Sequence, residues 1–401
     1  MPLNNPPVAI AGAGIAGLTL AIALLRRGID VEIHEQAAEL REIGAGLQIG
    51  PNGSRVLIDL GLGEAMDVIV SEAAAKEVRH WRTGRTWKLF DLGADCIERF
   101  GAPYWMVHRG DFHRALLEGA RALKPDVVRL GSAVRGFDQD ETGVRLQLES
   151  GDTARAGVLI GGDGVHSAVR SAMGVQDRPA FTGIMAWRGI ARAEGLPEHL
   201  RRPVGCNWVG PGGHVVTYPL RGGAIFNFVG IVEGRDWPVE SWTEAGTYEE
   251  CLADFAGWHP HVEAMIRNLD QPFKWALIGR EPLDTWAQGR VCLMGDAAHP
   301  TLPFLAQGAN MAIEDGMVLA RCIEASPGDP PAALKRFERL RAERTASIVR
   351  KSREMAGRFH NPVLADPDLA DAYISREWDP DVSRLRYDWL YEYDAGKVDV
   401  A

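Results

Sequence analysis

The chain has 401 residues, room for roughly two or three hydrophobic cores, and its 46% apolar and 24% charged side chains are the balance of a water-soluble globular protein. A formal net charge of -10 argues against nucleic acid or an anionic membrane surface as the main partner. Cys96, Cys206, Cys251, Cys292 and Cys322 are far apart with no CxxC pair, which disfavours a redox-active disulfide and any structural metal site and fits the cytoplasm.

The run from Val8 to Leu25 is uncharged over 18 residues, the minimum for a membrane span. Arg26 and Arg27 follow the run, whereas a secretory signal would carry its positive charge in front. Gly12-x-Gly14-x-x-Gly17 gives the better account: a buried strand over 8–11, a glycine turn and a helix over 15–27, with no membrane segment. A second strand over 30–35 ends at Glu35, where a carboxylate would accept adenosine ribose hydroxyls. Gly12 permits the tight turn, Gly14 lets backbone approach a pyrophosphate, and Gly17 lets the helix pack closely on the strand. The bland alternative is a tight turn in a generic α/β unit.

Residues 36–75 read as a loop and then a helix from Ser54; 76–107 are tryptophan-rich with short β-like runs. Arg109 precedes a helix over 112–123, with Asp111 as its expected N-cap, and offers a bidentate contact to pyrophosphate. Arg41 is a candidate of the same kind. Three short strands over 126–163 end in Asp163-Gly164, with Arg170 following. From 181 to 275 the pattern is antiparallel β, punctuated by GPGG and RGG turns. There His214, Val216 and Tyr218 alternate onto one strand face, where His214 and Tyr218 could bind or deprotonate a phenol. A half-buried strand with a satisfied core histidine is the alternative. His34, in the second strand, reads as core.

A third buried strand over 291–294 runs into Gly295-Asp296-Ala297-Ala298-His299-Pro300. Carboxylates at strand ends, as at Asp163 and Asp296, need polar partners: a flavin's ribityl hydroxyls, or the N–H groups of the helix that follows. His299 reads as structural. Pro303 is a stiff wall before the helix 311–322, whose N-terminal end at Gly308, Ala309 and Asn310 could face a flavin's pyrimidine edge. A long charged helix over 331–358 and an aromatic, docked tail complete the chain. Three strand-to-helix junctions in this order point to one flavin held along its length.

GAGIAG, DGVHSAVR and GDAAHPTLPFLAQGANMAIED resemble the three motifs of single-component (group A) FAD-dependent aromatic hydroxylases, and the likeness covers nearly the full length. IGAGLQIGPN, HRGDFH and YDWLYEYD place it near the salicylate hydroxylase, 3-hydroxybenzoate 6-hydroxylase and 6-hydroxynicotinate 3-monooxygenase branch. The resemblance implies an α/β fold like that of p-hydroxybenzoate hydroxylase, with an antiparallel β substrate domain inserted in a Rossmann-like FAD domain. The FAD domain would be discontinuous over 1–75, 106–180 and 276–330, the substrate domain 76–105 and 181–275, and the C-terminal helical segment 331–401.

By the same resemblance, Gly12, Gly14, Gly17 and Glu35 would bind the ADP half of FAD, and Arg109 the pyrophosphate. Asp163 would serve FAD and a passing NADH or NADPH, the branch leaning towards NADH; Asp296 would bind ribityl and phosphate groups, and Gly308, Ala309 and Asn310 would lie along the ring. His214 and Tyr218 match a histidine and tyrosine that act on the substrate phenol. The 3-hydroxybenzoate 6-hydroxylase type carries glutamine where this chain has Pro303, while many other members carry proline. The implied activity is hydroxylation of a small hydroxylated aromatic acid, of salicylate or 3-hydroxybenzoate type, by O2 through a flavin C4a-hydroperoxide. NAD(P)H would dock transiently, since only one GxGxxG is present, and a homodimer is the assembly the family suggests. The alternatives are a tailoring hydroxylase of a larger natural product, a flavoprotein oxidase reduced by its own substrate, and a non-catalytic nucleotide sensor.

Overall fold

Three short apolar runs, too hydrophobic to face water on either side, pair with one another and with the strand Val31–His34 as the parallel core of a six-stranded sheet. The fold, given by a computed structural model, is described for residues 6–40, 45–176, 178–234 and 244–401. Val8–Ala11 lies between Val31–His34 and Val158–Gly161, and Val291–Leu293 pairs on the far side of Val158–Gly161. Val128–Arg129 and Ala287–Gln288 form the edges. The helix Ile15–Leu25 follows the first strand with nine buried residues, Ala16 to Leu24, as its sequence without a single charge requires. The helix Gly308–Glu324 crosses it closely: a Cβ on Gly316 would come 2.9 Å from the Thr19 side chain.

The second sheet has eight strands, in the order Glu244–Ala245, Phe273–Gly279, Ala180–Arg192, Ile225–Glu233, Gly213–Leu220, Val204–Gly210, Ala75–His80, Thr86–Asp91. It is antiparallel except at one pair, Val204–Gly210 with Ala75–His80, which runs parallel and joins the part of the sheet before residue 92 to the part after residue 179. One face packs on the helices Tyr248–Asp254 and Pro260–Arg267. The other is covered by residues 302–305 and by the C-terminal segments.

Local detail departs from the sequence reading in two places, while the long charged helix is found as expected to within a residue at each end. The helix expected from Ser54 starts at Pro51, whose fixed φ and missing N–H suit a first helical position. The region 126–163 forms five strands, not three. The long helix is Pro330–Phe359, begun by Asp329, whose carboxylate accepts the Ala332 N–H at 3.1 Å. The aromatic tail is docked as the helix Pro380–Tyr391, with Tyr387, Leu390 and Tyr391 buried. No helix of the described residues is long and apolar enough to cross a membrane.

Candidate functional site

The three strand-to-helix junctions meet at the carboxyl edge of the parallel sheet, where such sheets bind ligands. Gly12 has φ +98°, a left-handed conformation that side chains strain, and a Cβ there would come 2.6 Å from the Gly162 carbonyl oxygen. A Cβ on Gly17 would overlap the Gly12 carbonyl oxygen, so only glycine allows the helix this close to its strand. Gly14 is different: nothing lies within 4 Å of where its Cβ would be. Gly164 is equally open, and a Cβ on Gly308 would meet only Thr301, at 3.6 Å. The packed glycines draw the junctions together and the open ones face free space.

Glu35 accepts the Ala13 N–H through Oε2 and the Ala37 N–H through Oε1, both at 2.8 Å. Its carboxylate is thereby fixed beside the glycine turn, with lone pairs left for a ligand hydroxyl. Asp163 accepts the Ser167 hydroxyl at 2.5 Å and the Val169 N–H at 3.1 Å, so it also secures the start of the helix Ala168–Ala172. Asp296 reaches open space but is recessed, and burial raises its carboxyl against the pull of His299, Arg109 and Arg280. Arg109 opens the helix Arg109–Leu123, its N–H bonded to the Ala45 carbonyl at 3.0 Å. Its charge also bears on Arg188, which burial, aided by Arg109, lowers to about 10. Arg109 and Asp296 are thus brought together, whereas Arg41 lies outside the described residues.

Beyond Asp296 the chain makes the short helical turn Pro303–Leu305, and Ala306 takes φ +53°, uncommon for alanine. In the 17-residue helix Gly308–Glu324 the N–H of Met311 bonds the Gln307 carbonyl at 2.8 Å. The N–H groups of Gly308, Ala309 and Asn310 precede it, at the helix's positive end. The Asn310 side chain is engaged elsewhere: Oδ1 accepts the Gly50 N–H at 2.9 Å, and Nδ2 donates to the Ala306 and Gln48 carbonyls at 2.9 and 3.1 Å.

One turn further, Glu314 and Asp315 are fully buried. Asp315 accepts the Gly295 N–H at 3.0 Å, pairs with Arg341 Nε at 2.7 Å and lies 2.6 Å from His299 Nε2. Burial works against its charge, but His299 and Arg341 bring Asp315 down to about 2. Glu314 pairs with Arg341 and Arg344 at 2.7 Å each and accepts from Asn52 Nδ2 at 2.6 Å. This ionic cluster anchors the Gly295 turn and the helix behind it to the long C-terminal helix. His299 belongs to that anchor, and His34, buried with Nδ1 2.8 Å from the Ser132 hydroxyl, belongs to the core.

On the larger sheet, register places Tyr218, Asn227 and Ile190 in one row, Val216, Val229 and Arg188 in the next, and His214, Ile231 and Ala186 in a third. This face closes against Leu302, Phe304 and Leu305. His214 is buried, its ring 5.5 Å from Phe304 and 4.8 Å from Phe359. Burial, reinforced by His360, holds its imidazole well below the ordinary value, so it is neutral at neutral pH. Tyr218 lies about 13 Å further along the strand, and a Cβ on Gly46 would come 2.5 Å from its ring. Burial raises its phenol; a hydrogen bond to Gln48, which also accepts the Tyr104 O–H at 2.7 Å, works the other way. Lys76, paired in register with Gly205, is buried with its ammonium 5.7 Å from the Tyr104 ring and 5.9 Å from that of Tyr387. It makes no hydrogen bond or ion pair with a described residue, and burial lowers it to about 8.

Residues 5–352 match the FAD binding domain family. The chain belongs to that family. It is 41% identical over 396 residues to the 3-amino-4-hydroxybenzoate 2-monooxygenase PtnB3 of Streptomyces platensis, with 98% of each chain covered. It is 37% identical over 398 residues to the 3-hydroxybenzoate 6-hydroxylase of Polaromonas naphthalenivorans, again with 98% of each covered. Its fold matches that of Klebsiella pneumoniae HpxO complexed with FAD and uric acid at a TM-score of 0.83, with 28% identity over 98% of both chains. This member of the FAD binding domain family is an FAD-dependent aromatic monooxygenase, with a reduced nicotinamide cofactor as electron donor. FAD fits the cleft: Gly14, Gly164 and Gly308 leave room at the junctions, and Asp296, at the third of them, keeps its side chain open to solvent.

One expectation near the cleft is corrected. Asp111 does not cap a helix at 112; the helix starts at Arg109, and His108 is the cap, its Nδ1 accepting the Asp111 N–H at 3.4 Å. The Asp111 carboxylate instead pairs with Arg221 at 2.7 Å and Arg114 at 3.1 Å. Sequence reasoning also missed the Glu314–Asp315–Arg341–Arg344 cluster, although two acids inside the apolar run MAIEDGMVLA signal buried carboxylates in need of partners. Lys76, Gln48, Glu233 and His360 carried no such local signal.

Proposed function

We propose that this monooxygenase hydroxylates a small hydroxylated aromatic acid, of salicylate, 3-hydroxybenzoate or 3-amino-4-hydroxybenzoate type, with His214 and Tyr218 acting on the substrate. The supporting observation is a neutral buried imidazole and a buried phenol on one strand face, opposite the Pro303–Leu305 turn that leads into the helix Gly308–Glu324. Gly12, Gly14, Gly17 and Glu35 would hold the ADP half of FAD, Arg109 the pyrophosphate, Asp163 the FAD and the passing nicotinamide, and Asp296 the ribityl and phosphate groups. Pro303 would wall the ring. The N–H groups of Gly308, Ala309 and Asn310 would stabilise negative charge at its pyrimidine edge through the helix dipole.

Bound FAD, once reduced, supplies the activated oxygen. The chain's own part is to exclude water, orient the ring, and take the phenolic proton at His214, because a phenolate is the better nucleophile. On this reading 1–75, 106–180 and 276–330 serve the cofactor, 76–105 and 181–275 the substrate, and 331–401 closes the site, in a cytoplasmic homodimer. Purified FAD-loaded protein is assayed for NADH oxidation against a panel of phenolic acids, with product mass read in parallel. NADH oxidation stimulated by an acid that gains one oxygen atom is expected; peroxide formation alone across the panel refutes the reading.

A further inference from the structure

His214 is one end of a chain. Its Nδ1 lies 2.6 Å from His360 Nε2, and His360 Nδ1 lies 2.6 Å from Glu233 Oε1. His214 sits in the strand Gly213–Leu220, Glu233 at the end of the neighbouring strand Ile225–Glu233, and His360 just past the long helix Pro330–Phe359. Both histidines are buried, while the Glu233 side chain is 42% exposed. The series runs from the face closed by Phe304 to solvent.

We propose that His214, His360 and Glu233 form a relay that carries the substrate's phenolic proton out of the closed site. The proposal rests on the reading of His214 as the group that meets the substrate hydroxyl.

Hydrogen-bond direction supports the relay. The hydrogen bond from His360 lowers the Glu233 carboxyl, so Glu233 is a carboxylate at neutral pH and can only accept. His360 therefore donates from Nδ1, and in the tautomer the relay uses its Nε2 accepts. His214 must then donate from Nδ1, which leaves its Nε2 with a lone pair for a substrate O–H. When Nε2 takes that proton, the Nδ1 proton passes to His360 Nε2, the His360 Nδ1 proton passes to Glu233, and the resulting carboxylic acid loses it to water. Each ring gains one proton and loses one, so no positive charge stays among Phe304, Phe359 and the apolar sheet face. That matters because burial so strongly disfavours a protonated His214: alone it would be a poor base, and a proton with an exit need not rest there. The facing groups agree: Phe304, Phe359 and His360 surround His214, and Glu233, Phe304 and His214 surround His360, leaving Glu233 as the one carboxylate in line among the described residues.

The same three residues could instead serve only as a clamp holding the end of the long helix to the sheet. Glu233→Gln separates the two roles, because its Oε1 still accepts from His360 but is no longer a base. FAD-loaded wild type, Glu233→Gln, Glu233→Asp, His360→Gln and His214→Gln are compared at pH 7 with 3-amino-4-hydroxybenzoate as the probe. The readouts are melting temperature, probe affinity, ionisation of the bound phenol by ultraviolet difference spectra, and product formed per NADH. Glu233→Gln is expected to keep the first two, to raise the pH at which the bound phenol ionises by about one unit, and to lower product formation about tenfold, with Glu233→Asp restoring both. If Glu233→Gln and His360→Gln match wild type while His214→Gln is impaired, the relay is wrong and the role of His214 stands. If His214→Gln also matches wild type, the functional reading of His214 fails first. A Glu233→Gln defect that appears only as lost melting temperature or probe affinity assigns the residues to the clamp and overturns the relay.

Discussion

Lys76 carries a cost that can be measured by removing it. The side chain is buried, its ammonium over Tyr104 and Tyr387 with no anion among the described residues, and burial lowers it from 10.5 to about 8. At about 1.4 kcal/mol per pH unit, that difference amounts to about 3 kcal/mol lost from folding while the lysine is charged. Two exposures of the cation to aromatic rings return about 1–2 kcal/mol, so Lys76→Met, which keeps the length of the stem, should stabilise the protein by about 1–2 kcal/mol at pH 7. The sign follows from proton counting. Below pH 8 both states hold the proton and the folded state bears the full cost. Between about 8 and 10.5 only the unfolded chain holds it, so wild-type stability rises with pH and the cost is gone above 10.5. Calorimetric melting of FAD-loaded protein at pH 7.0 and 9.5 provides the assay, with an expected gain of a few degrees at pH 7.0 that shrinks at pH 9.5. A variant less stable than wild type at pH 7.0, or a difference independent of pH, would show that Lys76 is paired with an anion and refute the argument.

Gly17→Ala should yield little soluble protein, because its Cβ would overlap the Gly12 carbonyl oxygen, while Gly14→Ala should fold normally and lose FAD affinity by tenfold or more in flavin titrations. Asp296→Ala should purify colourless, its flavin absorbance lost, yet melt within a few degrees of the wild-type apoprotein, since its carboxylate reaches open space. Arg341→Met should cost about 3–5 kcal/mol by leaving Glu314 and Asp315 short of a cation, read as a drop in melting temperature; an unchanged value would mean that Arg344 and His299 suffice.

The features legible in the sequence are those set by local geometry. Gly12 and Gly17 are required by a turn and by a helix approach within five residues of each other, so their spacing alone encodes the constraint. The buried strands ending at Gly161 and Leu293 are visible as apolar runs, and strand alternation places His214 and Tyr218 on one face. Asp111 misled because an aspartate before an apolar run looks like a cap; Arg221, 110 residues away, claims its carboxylate instead. The His214–His360 contact spans 146 residues and the Asn52–Glu314 contact 262, and nothing in either neighbourhood records the other end. Long-range polar partners are chosen by the assembled fold, not by the periodicity of any one element.

The arrangement of the parallel sheet also dictates when the protein can acquire its shape. Val8–Ala11 pairs with Val158–Gly161, whose other neighbour is Val291–Leu293, and the helix after the first strand is covered by Gly308–Glu324. A ribosome must therefore synthesise about three-quarters of the chain before the apolar run at Val8–Leu25 finds its native cover. At about 5–20 residues per second, that leaves this segment waiting for roughly 15–60 seconds. Throughout that interval its 18 uncharged residues are a site for chaperone binding or for aggregation. Yield in cells should accordingly depend more on holding the nascent chain than on the stability of the finished enzyme.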